Sequence, residues 1–363
     1  MFKKKSFVLI LILVPIFLSG CISVRTGSKT TNSGADGGFY RSENKGADWA
    51  QKTLIPTVSG KPSTFADTDM SAMAIDPSDE NAIYFGTVGH GMLYSYDAGE
   101  SWFVARSLGE QTIAAIAVDP KVRCTIYASI GNTLKKTTDC ARTWETKFTD
   151  DNAKAVIDHI AVDQNNSLKV YITTTKGGFY KSADGGVAWN DIDEIVEMKD
   201  QVLSITMLPS DPRHIIISLQ DEGVYRTQDG GENWEAFTTL NEAVDEFKLG
   251  GPVIDIAVSK NLPDFCLAAT SNGLLRSTNR GGKWEKIDII TPEKKTDITA
   301  IAFNPRNEQE LYYSTVDLFY RSSDGGKSWT SETAIAGARS ARKIVVHPKK
   351  GEVVYMAVGV YKK

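Results

Sequence analysis

Five aspartates and two asparagines occupy one position of a recurring phrase, Ser/Thr-x-Asp/Asn-x-Gly-x-x-Trp. They are Asn44, Asp97, Asp139, Asp184, Asp229, Asn279 and Asp324, followed five residues on by Trp49, Trp102, Trp144, Trp189, Trp234, Trp284 and Trp329. Carboxylates repeated so regularly invite a catalytic reading as general acids or bases. Their neighbours point elsewhere. A hydroxyl two residues before and a glycine two residues after are the makings of an Asx-type turn, in which the side chain accepts bonds from nearby backbone N–H groups. Glycine supplies a positive φ and the Trp packs over the turn. The third copy departs from the phrase, with Ala141 in place of glycine.

Other reactive residues are few. Of four cysteines, Cys21, Cys124, Cys140 and Cys266, none forms a Cys-x-x-Cys pair or a cluster with histidine, so no metal or cofactor is called for. Asp158, His159, Asp255, Arg342 and Lys343 stand at positions where equivalent segments carry Ala, Ser or Thr. A histidine beside carboxylates can form an acid–base pair, or these groups can simply pair with one another around a wet channel. His90, between two glycines, is a further exposed candidate without a visible partner.

The elements that must position these residues follow from the spacing. Successive tryptophans lie 53, 42, 45, 45, 50 and 45 residues apart, a period that marks a repeat architecture. Each unit contains four short β-rich runs punctuated by Gly, Asn and Asp, which is the content of one propeller blade. First strands are expected at 70–77, 113–120, 157–164, 202–209, 253–260, 298–305 and 341–348. No long helix is expected; 192–199 and 241–247 can each form two short turns. The first phrase has no strands 1 and 2 before it, and the final pair of strands has no phrase after it. Joining tail to head completes one blade and removes exposed sheet edges. The fold class is all-β, a seven-bladed β-propeller of four-stranded antiparallel blades whose last blade joins N- and C-terminal strands.

The phrase resembles the Asp-box, or BNR, repeat over nearly all of residues 38–358, and that resemblance implies boxes at the turn between strands 3 and 4, away from the active face, with structural rather than catalytic carboxylates. Sialidases resemble the chain in these boxes, but their Arg-Ile-Pro motif is missing and no residue matches their arginine triad or tyrosine nucleophile. Xyloglucanase-like glycosidases share the seven-blade unit but work in a cleft between two propellers, whereas this chain has length for one. All seven tryptophans are committed to the boxes, which argues against a sugar platform. The form Gly178–Trp189 looks like that of Ycf48-type photosystem II assembly factors and sortilin-type propellers. The first group resembles the chain in being a single lipid-anchored propeller that binds an assembling membrane protein.

At the start, Lys3 to Lys5 and an apolar run from Phe7 to Leu18 read as an export signal too short to span a bilayer. Leu18-Ser19-Gly20-Cys21 resembles the bacterial lipobox, which implies cleavage before Cys21 and lipidation of its thiol. Residues 1–20 are then a signal peptide, 21–37 a flexible tether, and 38–363 one propeller in the bacterial cell envelope, anchored on the extracytoplasmic side of a membrane. The formal charge of −4 becomes more negative without the signal and excludes nucleic acid as a partner.

On chain direction, the 2–3 turns and 4–1 connections share one face, and the boxes lie on the other. Insertions at 50–69, 235–250 and 285–297 fall on the first face, where Asp193, Glu194, Glu197, Glu242, Asp245 and Glu246 form acidic loop candidates for a binding surface. A Cys124–Cys140 disulfide is expected: a turn at Gly131-Asn132 sets Cys124 opposite Asp139, and a bulge absorbs the one-residue slip. Cys266 reads as a buried thiol. The expectation is a non-catalytic, membrane-anchored propeller binding a protein or peptide partner. The alternative is a glycan-directed glycoside hydrolase or lectin-like module.

Overall fold

The structure, a computed structural model, describes residues 36–192, 200–291, 297–333 and 339–360. Seven four-stranded antiparallel sheets form a ring. Their first strands are Met70–Asp76, Ile116–Val118, Ile157–Val162, Val202–Met207, Val253–Val258, Ile298–Asn304 and Arg339–Val346, and these define blades 1 to 7. Neighbouring first strands touch from blade 1 to blade 7, and Val354–Val360 of blade 7 touches Met70–Asp76 of blade 1. Blade 7 is the composite one. Gly38–Ser42 pairs antiparallel with Val354–Val360, Gly38 opposite Val358 and Ser42 opposite Val354, and Ala50–Gln51 adds the outer edge. The closure expected from the ends of the repeat is therefore present.

Burial explains the composition of each strand. Second strands such as Val170–Thr174, Ile215–Leu219 and Cys266–Thr270 are buried at every position, because both their faces meet another blade. β-branched and aromatic residues suit that double burial. Outer strands such as Phe103–Val104 and Glu235–Ala236 are short and exposed. The core is correspondingly divided into one apolar cluster per junction. Between blades 7 and 1, Phe39 packs on Trp102 and Tyr355 with ring centroids 5.0 and 5.5 Å apart, beside Phe85 and Leu93. Removing a ring buried like this costs about 3–5 kcal/mol.

Two local expectations needed correction. The helix over 241–247 starts earlier and is longer, Thr238–Glu246, because Leu240 and Ala243 bury against Phe237 and Leu249. The first strand of blade 2 is shorter than 113–120. Ile113 leaves the ladder, donates its N–H to the Thr87 carbonyl of blade 1 and buries in the junction between the two blades.

Candidate functional site

Six of the seven first strands slip by one residue near their start: at Met70/Ala72, Ile157/His159, Val202/Ser204, Val253/Asp255, Ile298/Ala300 and Ala341/Lys343. Such a bulge bends its strand and re-aims side chains. The slips bring Asp158, His159, Asp255, Arg342 and Lys343 to equivalent places. Four of them, His159, Asp255, Arg342 and Lys343, line one cavity of about 370 Å³ with Ser204 and Thr299. One ion pair and one histidine–aspartate contact form at these positions. Lys343 Nζ is 3.2 Å from Asp255 Oδ2. His159 Nδ1 is 3.2 Å from Asp158 Oδ1, and its Nε2 is 3.1 Å from the Leu203 carbonyl of blade 4.

A ring nitrogen facing a carbonyl must carry the proton, so Nε2 is the donor. Asp158 also accepts the Thr173 hydroxyl at 2.8 Å and the Gln201 amide at 3.4 Å. The result is a cavity rimmed by a carboxylate, an imidazole, an ammonium and a guanidinium. Such a rim can hydrogen-bond a hydroxyl-rich or polar ligand from several sides.

The acids of the insertions are divided. Glu242, Asp245 and Glu246 lie on the helix Thr238–Glu246, which is pinned beside the ring: the Thr239 hydroxyl donates to the Gly281 carbonyl at 2.6 Å, and Asn241 bonds both backbone groups of Val224. Glu242 and Glu246 line a groove with Lys283 and Lys286, while Asp245 lines another with Asp221 and Glu222. Asp193, Glu194 and Glu197 lie outside the described residues, as do Cys21, the leader and nearly all of the tether. Asp150 is buried, accepting the Tyr180 hydroxyl at 3.0 Å. His90 is exposed, its backbone N–H bonded to Thr87 Oγ1.

The phrase aspartates bond within their own turns. Asp324 accepts the Ser322 hydroxyl at 2.8 Å, the N–H groups of Lys327 and Ser328 at 3.0 and 2.9 Å, and the Ser328 hydroxyl at 2.5 Å. The Ser328 donors push its carboxyl down to about 2. Asp139 and Asp229 are held well below the usual carboxylate range, first by Thr143 and by Asn233. Anions stabilised in this way make poor proton donors near neutrality. Asn44 and Asn279 accept the equivalent bonds through Oδ1 from Asp48 N and Lys283 N. Trp102, Trp189 and Trp329 donate Nε1–H to carbonyls of Lys52, Lys147 and Asp288.

A second regularity was hidden in the sequence. In all seven turns the residue before the phrase glycine is also left-handed: Lys45, Ala98, Cys140, Gly185, Gly230, Arg280 and Gly325. Its N–H donates to a carbonyl of the preceding 1–2 connection, at Glu352, Asn81, Cys124, Leu168, Arg213, Asp264 and Gln309 respectively. The Cys124–Cys140 disulfide, Cα atoms 4.2 Å apart, sits on that shared contact in blade 2. Cys266 is buried between blades 4 and 5, and burial pushes its thiol up to about 12.

Arg339 escaped sequence reasoning. It bonds Asp69 Oδ1 at 2.5 Å, the Asp67 carbonyl at 2.6 Å and Asp36, tying blade 7 to the entry of blade 1. Its partners are 270 and 303 residues distant in sequence, so no local pattern announces them. Among the described residues no cluster of three or more His, Cys, Asp or Glu is arranged to hold a metal. No helix among them is long and apolar enough to cross a membrane.

No protein-family profile matches the chain. Among curated proteins it is similar to xyloglucanase Xgh74A of Acetivibrio thermocellus, 25% identical over 331 residues, covering 75% of this chain and 38% of the relative. A xyloglucanase of Paenibacillus sp. is 23% identical over 215 residues, covering 47% of the chain and 20% of the relative. The chain thus spans well under half the length of these relatives. Among solved structures, the GH74 xyloglucanase of Xanthomonas campestris superposes with a TM-score of 0.64 at 16% identity, over 80% of this chain and 51% of that one. YCF48 bound to D1 peptide gives 0.57 at 12% identity, over 81% of this chain and 94% of that one. YCF48 from Cyanidioschyzon merolae gives 0.57 at 14%, over 80% and 95%. At these identities the structural likeness is one of fold.

Proposed function

We propose that this propeller is glycan-directed and takes a xyloglucan-like polysaccharide at the mouth of its channel. The observation that carries the reading is the sequence similarity to xyloglucanases over three quarters of the chain. The channel rim agrees with it chemically. His159, Asp255, Arg342 and Lys343 supply donors and acceptors for sugar hydroxyls around one cavity, with Asp158 against His159. The role proposed is recognition. Glycoside hydrolysis uses two carboxyl groups flanking one bond, roughly 5–9 Å apart. The rim carboxylate Asp255 is engaged by Lys343, and neighbouring Asp158 by His159 and Thr173.

Titration of the purified protein with xyloglucan oligosaccharides, beside a reducing-end assay, tests this. Binding that weakens in Asp255→Ala and His159→Ala supports the reading. Release of reducing ends would extend it to catalysis. Affinity equal to wild type in both variants would remove the channel mouth as the site.

A second reading has its own support. The YCF48 structures, one with a D1 peptide, are covered over 94% and 95% of their length by this single propeller. In this reading the chain binds a protein or peptide, with Glu242, Asp245 and Glu246 facing a basic partner. Both readings place the domain outside the cytoplasm, held to a membrane by lipid on Cys21. Several acyl chains, at about 0.8 kcal/mol per buried CH₂, anchor a soluble domain firmly. Mass spectrometry of the mature terminus, compared with Cys21→Ser, tests the anchor, and a free unacylated terminus would overturn it.

A further inference from the structure

The repeat breaks its own pattern at one junction. The residue immediately before the phrase Ser/Thr is basic in six copies: Arg41, Lys136, Lys181, Arg226, Arg276 and Arg321. In blade 1 it is Tyr94. The residue after that Ser/Thr is Glu, Thr, Ala, Gln, Thr or Ser in the same six copies, and Tyr96 in blade 1. In three of these copies the basic side chain reaches the phrase turn of the next blade. Arg41 donates to the Ala98 carbonyl, Lys136 to that of Gly185 and Arg276 to that of Gly325, at 2.9–3.2 Å. Tyrosines of the second strands help: Tyr127 and Tyr171 donate to the carbonyls of Gly185 and Gly230. Tyr84, their counterpart in blade 1, lines a pocket with Tyr96 instead.

Among the described residues, the gap between blades 1 and 2 lacks such carbonyl bridges from Tyr94 and is spanned instead by the Arg123–Asp79 ion pair at 3.4 Å. It forms a pocket of about 430 Å³ whose walls include Tyr84, Tyr94, Tyr96, Asp79, Arg123 and Arg142. The corresponding pocket between blades 6 and 7 holds about 150 Å³ and is crossed by the Lys45–Glu310 ion pair at 2.7 Å. Aromatic surface continues outward from the blade 1–2 pocket, since Phe103 stacks on Tyr94 with centroids 5.6 Å apart and Tyr94 lies 5.3 Å from Tyr96. Tyr96 and Phe103 are both exposed there, apolar surface of the kind found at binding sites.

We infer that this groove is a binding site for a neutral oligosaccharide, separate from the channel mouth and sharing with it only the class of ligand. Charge balance selects the occupant. Asp79 is paired with Arg123 at 3.4 Å, and buried Asp76 accepts the N–H and hydroxyl of Ser78 at 2.8 and 2.7 Å. With Arg142 the pocket holds two acids and two arginines, so it offers no net field to a charged ligand. What it offers is aromatic surface for the C–H face of a sugar ring, ringed by hydroxyl, carboxylate and guanidinium groups for the sugar hydroxyls. The volume lies in the range of small-ligand sites. The groove is built from 1–2 connections and phrase turns, on the face opposite the channel mouth.

Calorimetric titration with a neutral xyloglucan heptasaccharide and, separately, with a charged oligogalacturonate tests the site. The expected result is binding of the neutral sugar that weakens about tenfold or more in Tyr96→Ala and in Tyr94→Arg, which restores the repeat's own residue. Asp255→Ala should leave this component intact. Arg142→Ala, at an exposed position, keeps the test decisive should a tyrosine variant fail to fold. Wild-type affinity in Tyr96→Ala and Arg142→Ala, or preference for the charged sugar, would overturn the site. Loss confined to Asp255→Ala would overturn the groove and leave the channel reading standing. A protein that binds no neutral oligosaccharide would overturn both.

Discussion

Lys343 Nζ lies 3.2 Å from Asp255 Oδ2, joining blades 7 and 5 although blade 6 stands between them in the ring. Each residue follows a bulge on its first strand, and each is only partly buried. A pair so placed contributes little to stability, about 0–1 kcal/mol, but it occupies hydrogen-bonding capacity that a ligand can compete for. Lys343→Met and Asp255→Asn are expected to leave the melting temperature within about 3 °C while changing ligand affinity. Differential scanning calorimetry beside titration separates these effects. A large loss of stability without loss of binding would make the pair a structural strut.

The phrase glycines carry a harder constraint than turn conformation alone. Gly281 has φ +81°, and a Cβ there would lie 2.4 Å from Phe237 Cζ; at Gly326 it would lie 2.3 Å from Ile287 Cγ2. Phe237 and Ile287 each sit three residues after the tryptophan of the preceding blade. The same position ahead of Ala141 is buried Ala105, so the extra methyl of Ala141, at φ 66°, has room. Gly281→Ala should cost about 2–4 kcal/mol from left-handed strain plus overpacking. Ala141→Gly should fall within about 1 kcal/mol of wild type. Urea unfolding of the two variants checks the contrast.

The disulfide offers a simpler test. Closing a loop of 16 residues stabilises by about 3 kcal/mol in the chain-entropy account. Reductant should lower the melting temperature of the wild type and leave a Cys124→Ala/Cys140→Ala variant unmoved. Equal response of both proteins would show that the bond contributes nothing in solution.

How much of this was legible depended on the range of the interaction. Trp spacing, strand patterning and the Gly131-Asn132 turn are local, and from them came the blades, the composite seventh blade and a register that the pairing of Ile130 with Thr133 satisfies on either side of that turn. The bulges left no local trace: Asp158, Ile254 and Arg342, the residues passed over at three of the slips, share no chemistry. Arg339 could not be read because its partners lie at the other end of the chain. Tyr94 is the opposite case. Its signal, a tyrosine among six basic residues, stands plainly in the aligned repeats, but its meaning needed the Arg41–Ala98 and Arg276–Gly325 bridges to show what is missing.

His347 performs in blade 7 the task that Asp119 and Asp163 perform in blades 2 and 3. Its Nδ1 accepts the N–H groups of Lys349 and Lys350 at 3.1 and 3.2 Å, as Asp119 Oδ1 accepts those of Lys121 and Val122. Burial, followed by the nearby charge of Lys350, lowers its pKa. A lowered histidine favours the neutral folded form, so its contribution is complete above about 6.5 and declines as pH falls through the folded value. Replacement with Asn, the residue at the equivalent Asn304 turn, should remove this step from the pH dependence of the melting temperature. An unchanged profile between pH 7 and 5 would assign the step elsewhere.

The phrase aspartates should dominate at lower pH. Asp324, held at about 2 by the Ser328 and Ser322 donors, has an unfolded value near about 3.9. A depressed carboxylate stabilises the fold fully above the unfolded value and loses that contribution as pH falls from about 4 toward 2. Asp139, Asp184 and Asp229 shift in the same direction, so acid unfolding should take up several protons over a narrow interval. Asn44 and Asn279 make the same turn without a titrating group, which provides the control within the molecule. Asp324→Asn should reduce proton uptake on unfolding by up to about one at pH 3, and Asn279→Asp should raise it by a similar amount. The slope of unfolding free energy against pH, from urea titrations between pH 2 and 5, measures both. If neither substitution changes the slope, the turn carboxylates are not what acid attacks first.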